Sequence, residues 1–290
     1  MCCKKTILLT LVLNFLNLCQ ENNVNLLSLY KKIMVLKTNI ENGILKIVLN
    51  RPEVFNSFNK EMAIELQNAL DEANENEVIR CVILTGEGKA FCAGQDLGEA
   101  THPNGPELKS IVRDHYNPII LRLRSIEKPI IAAVNGVAAG AGANIALACD
   151  LVIAKESASF IQAFSKIGLI PDSGGTFLLP RLIGQQKALA LMITGDKVPA
   201  RQAEEMNMIY KTVADENFEE EVSKLAMNLA AMPTRGIGLT KKAVNMSWSN
   251  TLETQLDLEE ELQTMAGKTD DFKEGVSAFL EKRKPNFTGK

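Results

Sequence analysis

The chain has 290 residues, 46% of them hydrophobic and 23% charged, with Lys+Arg 32 against Asp+Glu 35 and a formal net charge of −3. This length accommodates one large domain, or a core domain with a small appendage. The near-balanced charge excludes a broad basic field able to grip a nucleic-acid backbone. The first 33 residues stand apart from the remainder. Their stretch KKTILLTLVLNFLNL is similar to a signal-peptide apolar region, but Asn14 and Asn17 interrupt it. It is also short for a membrane span, and no small-residue cleavage site follows. Residues 1–33 therefore read as an extension outside the fold, with Met34 a second candidate start.

GILKIVLN (Gly43 to Asn50) is a short apolar run closed by Asn-Arg-Pro, which predicts a buried strand. NKEMAIELQNALDEANEN follows with apolar positions at helical spacing and Asn59 as its N-cap. IRCVILTG (Ile79 to Gly86) predicts a second strand, opening into the Gly-rich loop GEGKAFCAGQDL. The polar segment from Gly98 to Pro118 reads as a loop and helix able to line a pocket. Its His102, His115 and Tyr116 are expected on a solvated surface. KPIIAAVNG predicts a third strand, AAGAGANIALACD a helix entered through glycines, and DLVIAKES a fourth strand. In KIGLIPDSGGTFLLPRLIG the Pro-Asp-Ser-Gly-Gly turn lies between two apolar runs. From Gly184 onward the pattern is helical, around 185–194, 200–206, 217–231, 236–247, 252–266 and 271–282. Strands alternating with helices, then a helical tail, predict an α/β core with an α-helical C-terminal portion. Periodicity leaves a doubly wound sheet and a spiral of strand-strand-helix turns both open.

The six cysteines (Cys2, Cys3, Cys19, Cys81, Cys92 and Cys149) match neither zinc spacing nor a small disulfide framework. Cys81, Cys92 and Cys149 lie in apolar runs and read as buried free thiols suited to a reducing, cytoplasmic compartment. Cys92 as a nucleophile would need His102 or His115 to activate it. AFCAGQDL and NGVAAGAGANIALACD share one design: each follows a strand and is built from Gly and Ala. Small residues admit close backbone approach, and a helix N-terminus aims N–H groups at a ligand. Brought together, two such turns hold an oxyanion. Either alone is equally explained by tight helix–strand packing, and neither has the glycine register or following acid of a dinucleotide site.

LNRPEVFNSFN, AFCAGQDL, NGVAAGAGANIALACDLVIA, KIGLIPDSGGTFLLPRLIG and EGVSAFLEKRKPNF occur in this order. Together they resemble the crotonase (enoyl-CoA hydratase/isomerase) superfamily, from Met34 to the C-terminus. The resemblance implies a spiral of ββα units over residues 34–230 and a C-terminal α-helical trimerisation domain over 231–290. It further implies a homotrimer or dimer of trimers, an acyl-CoA thioester substrate, and no cofactor or metal beyond coenzyme A itself. By matching position, the oxyanion hole would use the main-chain N–H groups of Gln95 and Ala141. The loop Ala93–Leu97, including Asp96 and Leu97, would form the coenzyme A groove with residues near Asn56. Phe279 and Lys282 would meet the nucleotide end, across a subunit boundary. Asp96 also fits a structural loop anchor.

A hydratase of this family carries one Glu in the helix after the second glycine turn and another seven residues before the Pro of the turn. Here those positions are Asn144 and Phe164, and neither exchanges protons near neutral pH. Simple hydration, which needs water activated and the α-carbon protonated, becomes a poor fit. Asp172 stands where hydratases usually have Gly. AGAGAN with AFSKIGLIPDSGGTFLLPR resembles the ring 1,2-epoxyphenylacetyl-CoA isomerases, in which Asp172 would be the catalytic acid/base. Asn144 would orient that acid or the substrate, or serve as a satisfied polar group near a helix start. Phe164 would shape an apolar wall. The alternatives are a general enoyl-CoA isomerase or hydratase and a non-catalytic acyl-CoA-binding subunit.

Overall fold

Asn42 and Gly43, both at positive φ (51° and 75°), make the two-residue turn that right-twisted antiparallel strands prefer. They join strand β1 (Leu36–Glu41) to β2 (Ile44–Leu49). The sequence reading found β2 but not β1, whose Lys, Thr and Asn are solvent-facing on this edge. The computed structural model of the chain describes residues 34–290. Segment 1–33, read above as an extension, lies outside the described residues.

Asn59 caps helix α1 (Lys60–Glu75) by accepting from the Met62 N–H, as its residue type predicts. The chain then alternates between two sheets. Strands β3 (Cys81–Gly86), β5 (Ile130–Val134), β7 (Leu151–Lys155) and β10 (Lys211–Val213) extend the first sheet in the order β1-β2-β3-β5-β7-β10. All its pairs beyond β1–β2 are parallel. The three-residue strands β4 (Ala90–Cys92), β6 (Val137–Ala139), β8 (Ser159–Ile161) and β9 (Lys197–Pro199) form the second. Three successive passages, β3–β4, β5–β6 and β7–β8, each leave one strand in each sheet before helical segments return the chain, which resolves the open choice in favour of the spiral.

Helices α2 (Asn117–Ser125), α3 (Ala141–Ala148), α4 (Gly175–Ile183) and α5 (Gln185–Thr194) cover the spiral. Every residue of α3 is buried, as an Ala/Ile/Leu helix without a polar face requires. The core joins α1, α2, α3 and α4 to the sheets through Leu45, Leu66, Phe91, Leu123, Ile145 and Leu179. Helix α6 (Phe218–Ala230) closes the other face of the large sheet on Ile83, Ile131 and Ile153. Then come α7 (Thr234–Met246), α8 (Leu252–Ala266) and α9 (Asp270–Glu281). Among the described residues no helix is long and apolar enough to cross a membrane.

Candidate active site

The two glycine-rich turns lie against each other. A Cβ on Gly94 (φ 93°) would sit 2.9 Å from the Ala139 carbonyl and 3.5 Å from the Ala141 nitrogen. A Cβ on Gly142 would meet the Cys92 side chain at 2.7 Å. Only glycine permits either approach, so these positions set the separation of the turns. Phe58 donates to the Gly94 carbonyl (2.7 Å) and accepts from the Asp96 N–H (2.8 Å). Phe58 and Gln95 are therefore a parallel bridge pair, and Gln95's own N–H points away from Phe58. Ala141 is the first residue of α3, so its N–H has no intrahelical acceptor and lies at the positive end of the helix dipole.

Cys92 lies under both turns. It is fully buried, and its sulfur accepts from the Gly94 N–H at 3.3 Å. Burial pushes its thiol up to about 12, which removes the nucleophile reading. Cys81 and Cys149 are likewise buried and free.

Asp172 lies on the turn leading into α4, and its carbonyl is held twice. Gly175 N–H donates to it at 2.9 Å, and so does Asn144 Nδ2 at 2.9 Å. Asn144 is fully buried in α3, and its Oδ1 accepts from Gln162 Nε2 at 2.8 Å. A Cβ on Gly175 would lie 2.7 Å from Asn144 Cγ, so the turn and helix pack too closely for any other residue there. Ser173, at φ 50°, donates from its hydroxyl to Asp172 Oδ1 at 2.8 Å. Burial raises the Asp172 carboxyl above its ordinary value, an effect the Ser173 hydrogen bond opposes. Asn144 thus positions the turn by its main chain. Both polar ends of its amide are committed inside the protein, one to the main chain of the residue that carries the carboxylate and one to Gln162, which is the arrangement of a satisfied polar group that orients the acid. Gln162 escaped the sequence reading; the polar residue at the end of an apolar strand was its one signal.

The loop expectations change too. His102 is exposed, but His115 and Tyr116 are buried, Tyr116 completely. The solvated-surface reading fails for both. Tyr116 packs edge-on against Phe58 (5.8 Å between centroids) and donates to Gln95 Oε1 at 2.7 Å. Asp96 caps the short helix Leu97–Ala100 through the Gly98 and Glu99 N–H groups and pairs with Arg51 at 2.8 Å. Burial opposes its ionisation, but Arg51 and those N–H groups outweigh it and keep the carboxyl below its ordinary value. Its side chain thus anchors the loop, one of the two roles expected of it. Asn56 is fully buried, with Nδ2 on the Glu87 and Ala90 carbonyls and Oδ1 on the Arg51 N–H. Its side chain braces the groove loop and has no polar atom left for a ligand. Phe55, Ala93 and Leu97 are exposed along that rim. The Phe164 ring tip would lie 3.8 Å from a Cβ on Gly140, which puts an apolar face beside the second turn. Phe279 is 83% exposed and lines a groove with Phe272, Val276 and Phe287 on the C-terminal helices; Lys282 ends α9 in a left-handed conformation. Neither is brought to the glycine turns within this chain. Among the described residues no group of three His, Cys, Asp or Glu side chains is arranged to hold a metal ion.

The family model for enoyl-CoA hydratase/isomerase matches residues 39–290. The chain is 51% identical over 256 residues to a 1,2-epoxyphenylacetyl-CoA isomerase from Escherichia coli K12, covering 87% of this chain and 98% of that protein. It is 39% identical to a trans-2-decenoyl-[acyl-carrier-protein] isomerase from Streptococcus mutans, covering 87% and 97%. A crystal structure of an enoyl-CoA hydratase from Bacillus anthracis superposes with a TM-score of 0.82 at 35% identity, covering 89% of this chain and all of that one. A spiral with two facing glycine turns, a family model spanning nearly all the described residues and relatives of this identity agree: the chain belongs to the enoyl-CoA hydratase/isomerase family and has the crotonase fold.

Proposed function

We propose that this enzyme is an acyl-CoA isomerase that moves a proton between carbons of its thioester substrate, with Asp172 as the single acid/base. The observation that carries this reading is one partly buried carboxylate on a turn fastened to α3, at a site whose other two candidate positions are Asn144 and Phe164. The thioester oxygen would sit between the N–H groups of Gln95 and Ala141. Each well-placed donor is worth about 3–4 kcal/mol towards the enolate-like state. In a 3-enoyl-CoA, Asp172 takes the α-proton and returns it to the γ-carbon as the double bond moves into conjugation. In a ring 1,2-epoxyphenylacetyl-CoA, the bond between the epoxide carbons opens to the seven-membered oxepin, and the same transfer, from the α-carbon to a ring carbon, gives the conjugated product. The relative at 51% identity carries the second activity in its name. The Phe164 wall suits a ring or an alkyl chain, so a general enoyl-CoA isomerase is the second reading.

Ala93, Leu97 and Phe55 would floor the coenzyme A groove. Phe279 and Lys282 would reach the nucleotide end from a neighbouring subunit of a homotrimer or dimer of trimers, with 34–230 as core and 231–290 as assembly domain. Three buried, unpaired thiols support a reducing, cytoplasmic setting.

Turnover of the ring epoxide, generated in situ by an epoxidase, is compared with that of a cis-3-enoyl-CoA. Epoxide turnover selects the first reading, and enoyl turnover alone selects the second. Asp172→Asn is expected to lose about 10²–10⁴-fold in turnover and all α-carbon deuterium exchange while still binding acyl-CoA. Near wild-type turnover by that variant would refute the assignment.

A further inference from the structure

Residue 95 is gripped from two directions. Phe58 bonds the main chain on either side of it, at Gly94 and Asp96. The Tyr116 hydroxyl, 2.7 Å from Gln95 Oε1, holds its side chain, and the Tyr116 ring rests on Phe58 at 5.8 Å. Tyr116 reaches this spot through an unusual piece of backbone. Residues Ile111–Tyr116 form a π-helical turn, a geometry that occurs mostly as single turns and often at functional sites. It is followed by Pro118, which has no N–H for the Asp114 carbonyl four residues back. Gln67, buried on α1, supplies the missing donor: its Nε2 lies 2.9 Å from the Asp114 carbonyl and 3.1 Å from that of His115. The wide turn brings two consecutive side chains, His115 and Tyr116, into the interior, and Gln67 stabilises the turn that does so.

We propose that Tyr116 is a positioning residue for the thioester site: through its bond to Gln95 it fixes the orientation of the residue-95 main-chain N–H, and the Gln67-braced π-turn exists to hold it there. This rests on the oxyanion-hole reading above. Without the hydroxyl, Gln95 Oε1 loses its closest partner. The side chain is then held only by the longer contacts of Nε2 to the Asp96 carbonyl (3.4 Å) and Glu99 Oε2 (3.5 Å), and the amide behind it loses the stronger of its side-chain restraints. Tyr116 keeps its proton throughout. Burial first, then the neighbouring Cys92, Asp172 and Glu99, hold the phenol well above its ordinary value, so it remains a hydrogen-bond donor at any working pH.

Tyr116→Phe removes the hydroxyl and leaves the ring contact with Phe58. Gln95→Met removes the acceptor and leaves the main chain. For a cis-3-enoyl-CoA, each variant is expected to lower kcat about tenfold, a fraction of the cost of deleting an oxyanion donor outright, with KM within about twofold. The double variant should be no slower than the slower single one, because the two groups act as a unit. The second readout needs no turnover. The carbonyl stretch of bound butyryl-CoA, labelled with ¹³C at the thioester carbon, is expected to move to lower frequency in the wild type and in Asp172→Asn. Tyr116→Phe should give up part of that displacement, since the Ala141 N–H stays in place and only the residue-95 donor is weakened. A full displacement in Tyr116→Phe and Gln95→Met, or multiplicative losses in the double variant, would overturn the proposal. If the wild type isomerises no thioester, the functional reading fails, while the carbonyl frequency still decides the role of Tyr116.

Discussion

A carboxylate that must act as a base near neutral pH gains from being hard to ionise, within limits, because its basicity rises with its pKa. Asp172 is set this way: burial raises its pKa, and Ser173 restrains the rise through Oδ1. The same burial makes the charge a burden on the fold. The native state binds the Asp172 proton more tightly than the unfolded chain does. Its contribution to stability is therefore full below the unfolded value and is lost as pH rises through the folded one. Two results follow for thermal unfolding and rate profiles. At neutral pH Asp172→Asn should melt higher than the wild type, and the gap should close as pH falls below the ordinary carboxylate range. The acid limb of kcat/KM should turn down at a pH above the ordinary aspartate value, since only the ionised form accepts a proton. A variant that melts lower at neutral pH would show that the charge is compensated by a partner. Asp172 was legible in the sequence because a motif framed it. Tyr116 was not, since the π-turn breaks the 3.6-residue period by which a buried face is recognised.

At the scale of elements, the site depends on how closely two turns approach. Gly142 in α3 packs on Cys92 of β4, and Gly94 packs on Ala139 of β6. Gly142→Ala puts a methyl group where the Cys92 carbonyl and side chain already sit, so α3 must move away from the Gln95 loop. Overpacking of this kind costs about 1–3 kcal/mol. The catalytic loss should be larger than that cost suggests, about a hundredfold in kcat/KM, since both donors are displaced from the oxyanion together. A stable Gly142→Ala enzyme at wild-type rate would mean the approach serves packing alone. The glycine spacing was readable from sequence, but the strands beneath it were not. β4, β6, β8 and β9 have three residues each, too few to show alternation, and β6 was absorbed into the predicted helix after it. Helix α4 was hidden by Pro180. The proline removes the donor for the Thr176 carbonyl, which the helix tolerates because Thr176 is exposed to water.

For the whole molecule, the question is what the C-terminal helices are for. Helix α7 is bound to the spiral by polar contacts that need both partners. Lys241 pairs with Asp150 at 2.6 Å in a largely buried position, Arg235 pairs with Glu127, and Arg124 bonds Asn245. Breaking the buried Lys241–Asp150 pair costs about 3–5 kcal/mol, so α7 is fastened to the spiral of its own chain. Helix α9 differs. Phe272, Val276, Phe279 and Leu280 lie at i, i+4, i+7 and i+8 and are all exposed. That spacing is one helical face, and a contiguous exposed apolar patch of this kind is the usual mark of a contact surface. With the trimer proposed above, the expected solution mass is three or six times that of one chain by light scattering. Phe279→Glu with Leu280→Glu should shift it towards a single chain without lowering the far-UV helix signal, because neither side chain enters the core. Acyl-CoA affinity should fall in the same variant if Phe279 meets the nucleotide end from a neighbouring subunit. A wild-type enzyme that runs as a single chain, and binds acyl-CoA equally well with both glutamates in place, would remove the assembly reading while leaving the chemistry at Asp172 untouched.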